Sequence, residues 1–252
     1  MLYITGDCHG THHEDGFTRF SFRQFPQQRG LTKEDYLLIC GDFGLLWDGS
    51  REEQWWLNWL DERPFTTIFP VGNHENFSLL NSYPVKPWRG GLVHQIAPNV
   101  LHLCSGHVFD LGAKVFVMGG AQSHDMQEIL TPGPLLEQRK RYLDYRKIPY
   151  RVEGVTWWPE EIPSPAEYAS ARTALEKAGW QVDLVATHCA PTTLQRRFAP
   201  EYPENQLTDF LDEIQTRLDY QQWYCGHYHR QLSCEEHRFR VLYRDIVPYP
   251  FT

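Results

Sequence analysis

Leu2-Tyr3-Ile4-Thr5-Gly6-Asp7-Cys8-His9-Gly10 is the stretch on which the reading of the fold turns. Its first four residues are apolar or β-favouring without interruption, the pattern of a buried strand. The run then breaks at a glycine and delivers an aspartate and a histidine, two residues apart, into a loop. The same grammar recurs downstream. Tyr36-Leu37-Leu38-Ile39-Cys40 runs into Gly41-Asp42, and the apolar stretch 66–71 runs into Gly72-Asn73-His74-Glu75. Three strand–loop–helix units therefore place polar loops beyond the ends of successive strands, where open α/β sheets bind their ligands.

The segments between these units read as helices. Spaced aromatics over 16–25 suggest one helical face, and Ser50-Arg51-Glu52-Glu53 is a capping box ahead of a Trp-rich helix ending near Glu62. In the second half, short apolar runs at 92–96, 100–104, 108–111 and 115–118 are expected as antiparallel strands of a second sheet. Residues 121–163 carry five prolines, Pro132, Pro134, Pro149, Pro159 and Pro163, and read as an irregular insertion or cap. Ser164-Pro165-Ala166-Glu167 starts a helix that Gly179 stops. A strand over 182–187 then leads to His188, a helix follows over 205–218, and Trp223-Tyr224-Cys225 leads into Gly226-His227-Tyr228-His229. Residues 238–243 read as the final strand. The expected domain organisation is a single domain over 1–252 with the insertion at about 121–163.

Five clusters stand at loop positions: Asp7 with His9, Asp42, Asn73 with His74 and Glu75, His188, and His227 with His229. Singly, a Gly-Asp turn or an isolated His carries little information. Together they offer carboxylate, amide and imidazole donors without a thiolate, a set suited to Mn, Fe, Zn or Ni. Seven candidate ligands suffice for two ions that share one carboxylate. Glycines beside most of them allow the backbone to approach a small site closely.

In this order, GDCHG, GD, GNHE, a lone downstream His and GHYH resemble the five motifs of the calcineurin-like metallophosphoesterases, over residues 2 to about 230. The segments GDFGLLW, GGAQSHD and TWWPEE are similar to a small bacterial and phage-type branch of that family. The resemblance implies an α/β fold, a four-layer αββα sandwich of two mixed β-sheets. It implies two divalent metal ions, with Mn the first choice. Asp7, His9, Asp42 and His229 would bind one ion and Asp42, Asn73, His188 and His227 the other, with Asp42 bridging. His74 would not ligate but would stabilise or protonate the leaving oxygen, so that His74 and Asp42 are the implied catalytic residues. The implied activity is metal-dependent phosphoesterase chemistry on a phosphomonoester or phosphodiester, by in-line attack of a metal-bridging hydroxide. A small nucleotide-like substrate is expected; a nuclease and a non-catalytic metal-binding scaffold are the alternatives. Ser/Thr protein phosphatases of the family carry GDxVDRG, whereas Leu45 and Leu46 stand here where Asp and Arg would be. That departure argues against protein phosphatase activity and leaves Glu75 or a backbone carbonyl to orient His74.

Substrate contact is considered at His12, His13, His124, Arg146 and Trp158, each weighed against a loop, solvated-face or packing role. Arg139, Lys140 and Arg141 read as a solvated charged face, and His94 and His102 as structural or surface residues. The formal charge of −8 argues against a general polyanion binder. The N-terminus lacks the pattern of a signal peptide and no run approaches the length of a membrane span, so no membrane partner is expected. Six cysteines without a C-x-x-C pair suit reduced protein, which places the chain in the cytoplasm as an expectation.

Overall fold

A computed structural model describes residues 1–10 and 16–249. In chain order its elements are strand β1 (Leu2–Thr5), β2 (Tyr36–Ile39), helix α1 (Arg51–Asp61), β3 (Thr66–Phe69), α2 (Phe77–Leu80), β4 (Val85–Trp88), β5 (Gly91–Ala97), β6 (Val100–Leu103), β7 (His107–Asp110), β8 (Lys114–Met118), β9 (Glu128–Leu130), α3 (Leu136–Arg146), β10 (Tyr150–Val152), α4 (Pro165–Lys177), β11 (Gln181–Thr187), α5 (Thr192–Phe198), α6 (Gln206–Arg217), β12 (Asp219–Cys225), β13 (Leu232–Cys234), β14 (Phe239–Val241) and β15 (Val247–Tyr249). They form a seven-stranded sheet in the order β15-β1-β2-β3-β6-β5-β4, a six-stranded sheet in the order β13-β14-β12-β11-β8-β7, and a separate β10-β9 pair. Both large sheets are mixed. β1, β2, β3 and β6 are parallel and flanked by antiparallel partners. In the other sheet β8, β11, β12 and β14 are parallel, with β7 and β13 antiparallel at its ends.

Alternation along the strands sets the layers. Leu2, Ile4, Leu38 and Ile68 of one sheet meet Val115, Val117, Leu184 and Ala186 of the other in a shared core. Tyr3, Leu37 and Ile39 point the opposite way, into a second core with Leu57 and Leu60 of α1. Phe116, Val185 and Trp223 point into a third, with Tyr168 of α4 and Phe210, Leu211 and Ile214 of α6. The result is two mixed sheets face to face with helices outside, the expected four-layer arrangement. Strands buried on both faces read as unbroken apolar runs, which is why β1, β2 and β11 stood out in the sequence. No helix among the described residues is long and apolar enough to cross a membrane.

Capping follows the sequence closely. Ser164 and Glu167 form both halves of a capping box with Pro165 at the first helical position. At α1 only half of the box forms: the Ser50 side chain accepts from Glu53 N–H, while the Glu53 carboxylate turns back to the N–H groups of Trp47, Asp48 and Gly49.

Four local expectations change. The aromatic stretch after residue 16 forms two 3₁₀ turns, Thr18–Phe20 and Pro26–Gly30, because Pro26 holds Phe25 out of helical geometry while Phe17, Phe20 and Phe25 bury separately. The four runs between 92 and 118 do not share one sheet: β5 and β6 extend the first, where β6 pairs with β3, and β7 and β8 start the second. Within 121–163, helix α3 and the parallel β9–β10 pair replace the irregular chain, since the prolines fall around the helix and not inside it. Finally, the stretch expected as the last strand is shorter, and β15 follows it to pair antiparallel with β1.

Candidate metal centre

The parallel strands β1, β2, β3, β11 and β12 each end at one of the five clusters, so their carboxyl ends gather residues as far apart in sequence as Asp7 and His229. The loops are zipped to one another by backbone hydrogen bonds. Cys8 and His9 N–H donate to the Asp42 carbonyl at 2.9 and 2.8 Å, and Gly226 N–H to the His188 carbonyl at 3.0 Å. His9, Asp42, His227 and His229 all adopt positive φ, at 56°, 46°, 67° and 49°. A left-handed residue other than glycine costs roughly 1–2 kcal/mol, so packing and hydrogen bonds must hold four strained loop positions in place. Two glycines are there for proximity: a Cβ on Gly72 or Gly226 would fall 2.0 Å from a carboxylate oxygen of Asp42 or Asp7, respectively.

The candidate ligands fall into two lobes around Asp42. On one side, Asp7 Oδ2 lies 3.6 Å from His9 Nε2 and 3.1 Å from His229 Nε2, and Asp42 Oδ2 lies 3.7 Å from His9 Nδ1. On the other, Asp42 Oδ1 and Asn73 Oδ1 lie 3.3 and 3.2 Å from His188 Nε2. The His227 and His188 rings are 5.0 Å apart. Three groups of potential ligand atoms within 4.8 Å of one another result: Asp7/His9/His229, Asp7/Asp42/His188 and His9/Asp42/His74.

Surrounding groups orient these side chains. His188 Nδ1 sits 2.7 Å from the Cys40 carbonyl, which can only accept, so Nδ1 carries a proton and Nε2 is the ring nitrogen turned to Asp42 and Asn73. Asp7 accepts from His227 N–H and Asp42 from His74 N–H. Asn73 donates to Ser123 Oγ at 3.2 Å, and Ser123 donates to the buried Glu161 at 2.6 Å. Burial raises the Glu161 carboxyl despite the hydrogen bonds from Ser123. Buried Arg19 donates to the carbonyls of Gly6, Asp7 and Tyr243, tying the first loop to the C-terminal segment. Glu161, Ser123 and Arg19 carry no motif. The GGAQSHD and TWWPEE segments already stood out in sequence, but nothing there marked Ser123 and Glu161 as partners.

Electrostatically the centre asks for cations. Asp7 and Asp42 are fully enclosed. Burial alone would raise both, yet hydrogen bonds from His229 and His9 hold Asp7 below the usual carboxylate range, and the charge of His188 and His74 does the same for Asp42. His188 shows the converse: burial would lower it, but the facing Asp42 carboxylate drives it up to about 9. Two buried carboxylates held ionised amid imidazoles are a donor set that fits divalent metal, and the neighbouring cysteines stay out of it, with burial pushing Cys8, Cys189 and Cys225 upward as thiols.

A cleft of about 460 Å³ opens over these residues, lined by His9, Gly44, Trp47, His74, Asp125, Arg151 and His229. Burial pulls His74 below its ordinary value against the pull of Asp42. A larger depression of about 590 Å³ between β7 and α4 contains none of these clustered donors. Glu75 does not orient the His74 ring; its buried carboxylate accepts from Phe43 and Gly44 N–H at 2.8 and 3.1 Å and braces the Asp42 loop instead. Leu45 and Leu46 are buried in the core, so packing fills the positions where protein phosphatases of the family place Asp and Arg.

The substrate-contact expectations fare unevenly. His124 sits at the rim, with its ring 4.0 Å from Tyr202 and 5.4 Å from His227. Trp158 is buried, donates its indole N–H to Ser78 and packs edge-on against Trp47, so it supports the cleft wall and offers no stacking face. Arg146, exposed at the end of α3, does not line the cleft; Arg151 does, five residues on. His12 and His13 lie outside the described residues.

A search of curated proteins found no match to the chain. A sequence model of a known family, described as calcineurin-like phosphoesterase, matches residues 2–231. With that match spanning both sheets and all five loop clusters, the chain belongs to the calcineurin-like phosphoesterases, a family of metal-dependent phosphoester hydrolases.

Proposed function

We propose that the protein is a dinuclear-metal phosphoesterase acting on a small, nucleotide-like phosphomonoester or phosphodiester. The observation that carries this reading is the buried Asp42 at the meeting of the five loops, whose two carboxylate oxygens face His9 and His188 separately. Asp7, His9, Asp42 and His229 would hold one ion, and Asp42, Asn73, His188 and His227 the other. Bound divalent ions, Mn first among Mn, Fe, Zn and Ni, would neutralise phosphoryl charge and lower the pKa of a water nucleophile.

The chain's own residues supply the rest. His74, in the cleft wall beside His9, is placed to donate a hydrogen bond or proton to the leaving oxygen. Arg151 is the guanidinium lining the cleft among the described residues, and its ion pair with Asp125 holds it at the mouth. It serves as the substrate-gripping cation in place of the arginine that Leu46 excludes. Trp47, backed by Trp158, offers an apolar wall against which a base or another leaving group can rest.

The basic stretch of α3 does not favour the nuclease alternative. Arg139 pairs with Glu128 and Lys140 with Glu137, so their charges are spent locally and make no continuous basic track to the cleft.

Two measurements test the reading. Protein supplied with Mn²⁺ should hydrolyse p-nitrophenyl phosphate or bis-p-nitrophenyl phosphate, and prefer nucleotides or dinucleotides to oligonucleotides. No turnover of any of these, together with no retained metal, would refute an enzyme of this kind. Arg151→Ala should raise KM about 10–100-fold, the worth of one charged hydrogen bond, with metal content unchanged. An unaltered KM would remove Arg151 from substrate binding.

A further inference from the structure

A second cluster of ligand-type side chains shares no residue with the cleft. β5 and β6 pair antiparallel with His94 directly opposite His102. Cys104 follows His102 by two residues and therefore projects on the same face. The alternate residues Val93 and Leu103 turn into the core between the sheets. The two imidazoles and the thiol thus face outward together, on the side of the sheet that α1 covers.

One ring nitrogen from each histidine and Cys104 Sγ lie within 4.8 Å of one another. His94 and His102 are 8% and 6% exposed, and Cys104 is a half-buried free thiol. His94 Nδ1 lies 3.1 Å from the Tyr83 carbonyl, which fixes its proton there and leaves the lone pair on Nε2. Both ring nitrogens of His102 are buried without a hydrogen-bond partner. Buried polar atoms in native proteins are nearly always satisfied, and an orphan points to a bound water or ion. The His102 ring packs against His94 and Phe69, with centroids 5.2 and 5.5 Å away, and these ring contacts leave both of its nitrogens unsatisfied.

We propose that His94, His102 and Cys104 hold a zinc ion distinct from the phosphoesterase centre. Two imidazoles and one thiolate form a borderline-soft donor set that zinc accepts in tetrahedral sites, whereas the cleft offers oxygen and imidazole alone. Binding forms Zn–N and Zn–S bonds and releases the Cys104 thiol proton to solvent. The partial exposure of Cys104 offers an entry path, and the fourth position would be left to water. The ion would staple β5 to β6 next to the register shift between Gln95 and Ala97, where the ladder is weakest.

The difference in donors makes the site separately visible. Metal-depleted full-length protein titrated with Co²⁺ should develop a near-ultraviolet thiolate-to-cobalt charge-transfer band, because only thiolate ligation produces one. The band should persist in Asp42→Ala, vanish in Cys104→Ser and be displaced by Zn²⁺. Absence of the band in the wild type, or its survival in Cys104→Ser, overturns the proposal. In the unmutated protein, Zn²⁺ should slow alkylation of Cys104 by iodoacetamide at least about 10-fold, read by mass spectrometry of the peptide; equal rates with and without Zn²⁺ also overturn it.

Discussion

Asp42→Ala is expected to abolish hydrolysis and metal retention together. Asp42 is the side chain through which the two lobes meet, with one oxygen 3.7 Å from His9 and the other 3.3 Å from His188. On the proposed assignment its removal would take a shared ligand from both ions, and it leaves His188, whose elevated pKa depends first on Asp42, without its counter-charge. Losing one transition-state hydrogen-bond donor costs an enzyme roughly 10²–10³-fold. Losing the bridge should exceed that, so turnover of bis-p-nitrophenyl phosphate should fall by more than about 10³-fold, with elemental analysis showing both ions depleted. Alanine at the φ of +46° also carries backbone strain. Asp42→Asn is the necessary companion, because asparagine tolerates that conformation and nearly preserves the shape. The same double loss in Asp42→Asn assigns the effect to the carboxylate charge. Retention of both ions and of turnover in either variant would remove Asp42 from the bridging position.

His74→Ala should separate what Asp42→Ala joins. His74 lines the cleft, its ring is not a ligand on the proposed assignment, and its backbone N–H, which donates to Asp42 at 2.8 Å, survives the substitution. Both ions should therefore remain while turnover falls by about 10²–10⁴-fold, the range for one positioned acid. The loss should be greatest for esters with poor leaving groups and smaller for p-nitrophenolate, which departs without a proton. Equal losses on both kinds of ester would assign His74 to substrate positioning instead. Normal turnover would leave it without a part in the reaction, and loss of metal would make it a ligand.

Much of this was readable in the chain because burial writes itself into sequence. β1, β2 and β3 are buried along their whole length and β11 over its last four residues, and each run leads to a Gly or His, so both the strands and the loops they deliver could be placed. The Ser164 cap was legible for a local reason: its partner, Glu167, lies three residues on. Partition of β5–β8 between two sheets was not, because a short apolar run carries no mark of which neighbour it will pair with. The groups that orient the candidate ligands were equally silent. Ser123 meets Asn73 across 50 positions and Arg19 meets Tyr243 across 224, and a single polar residue in a loop advertises no distant partner. Arg151 escaped notice because only the folded α3–β10 segment decides which of its arginines turns to the cleft.

The pairing of β15 with β1 has a consequence for how the protein comes into being. β1 carries the first loop of the centre, yet one of its two neighbours is the last strand of the described chain. His227 and His229 likewise meet Asp7 only across some 220 residues. Contacts of such separation form late, after the entropy of closing nearly the whole chain has been overcome. During synthesis, the N-terminal half can build its strands and its core around Phe17 and Leu57 but cannot complete an ion-binding lobe. On the proposed assignment, Asp7, His9, Asp42 and Asn73 wait in the N-terminal half for His188, His227 and His229, so the complete set of ligands should assemble only when the C-terminal loops close on the first.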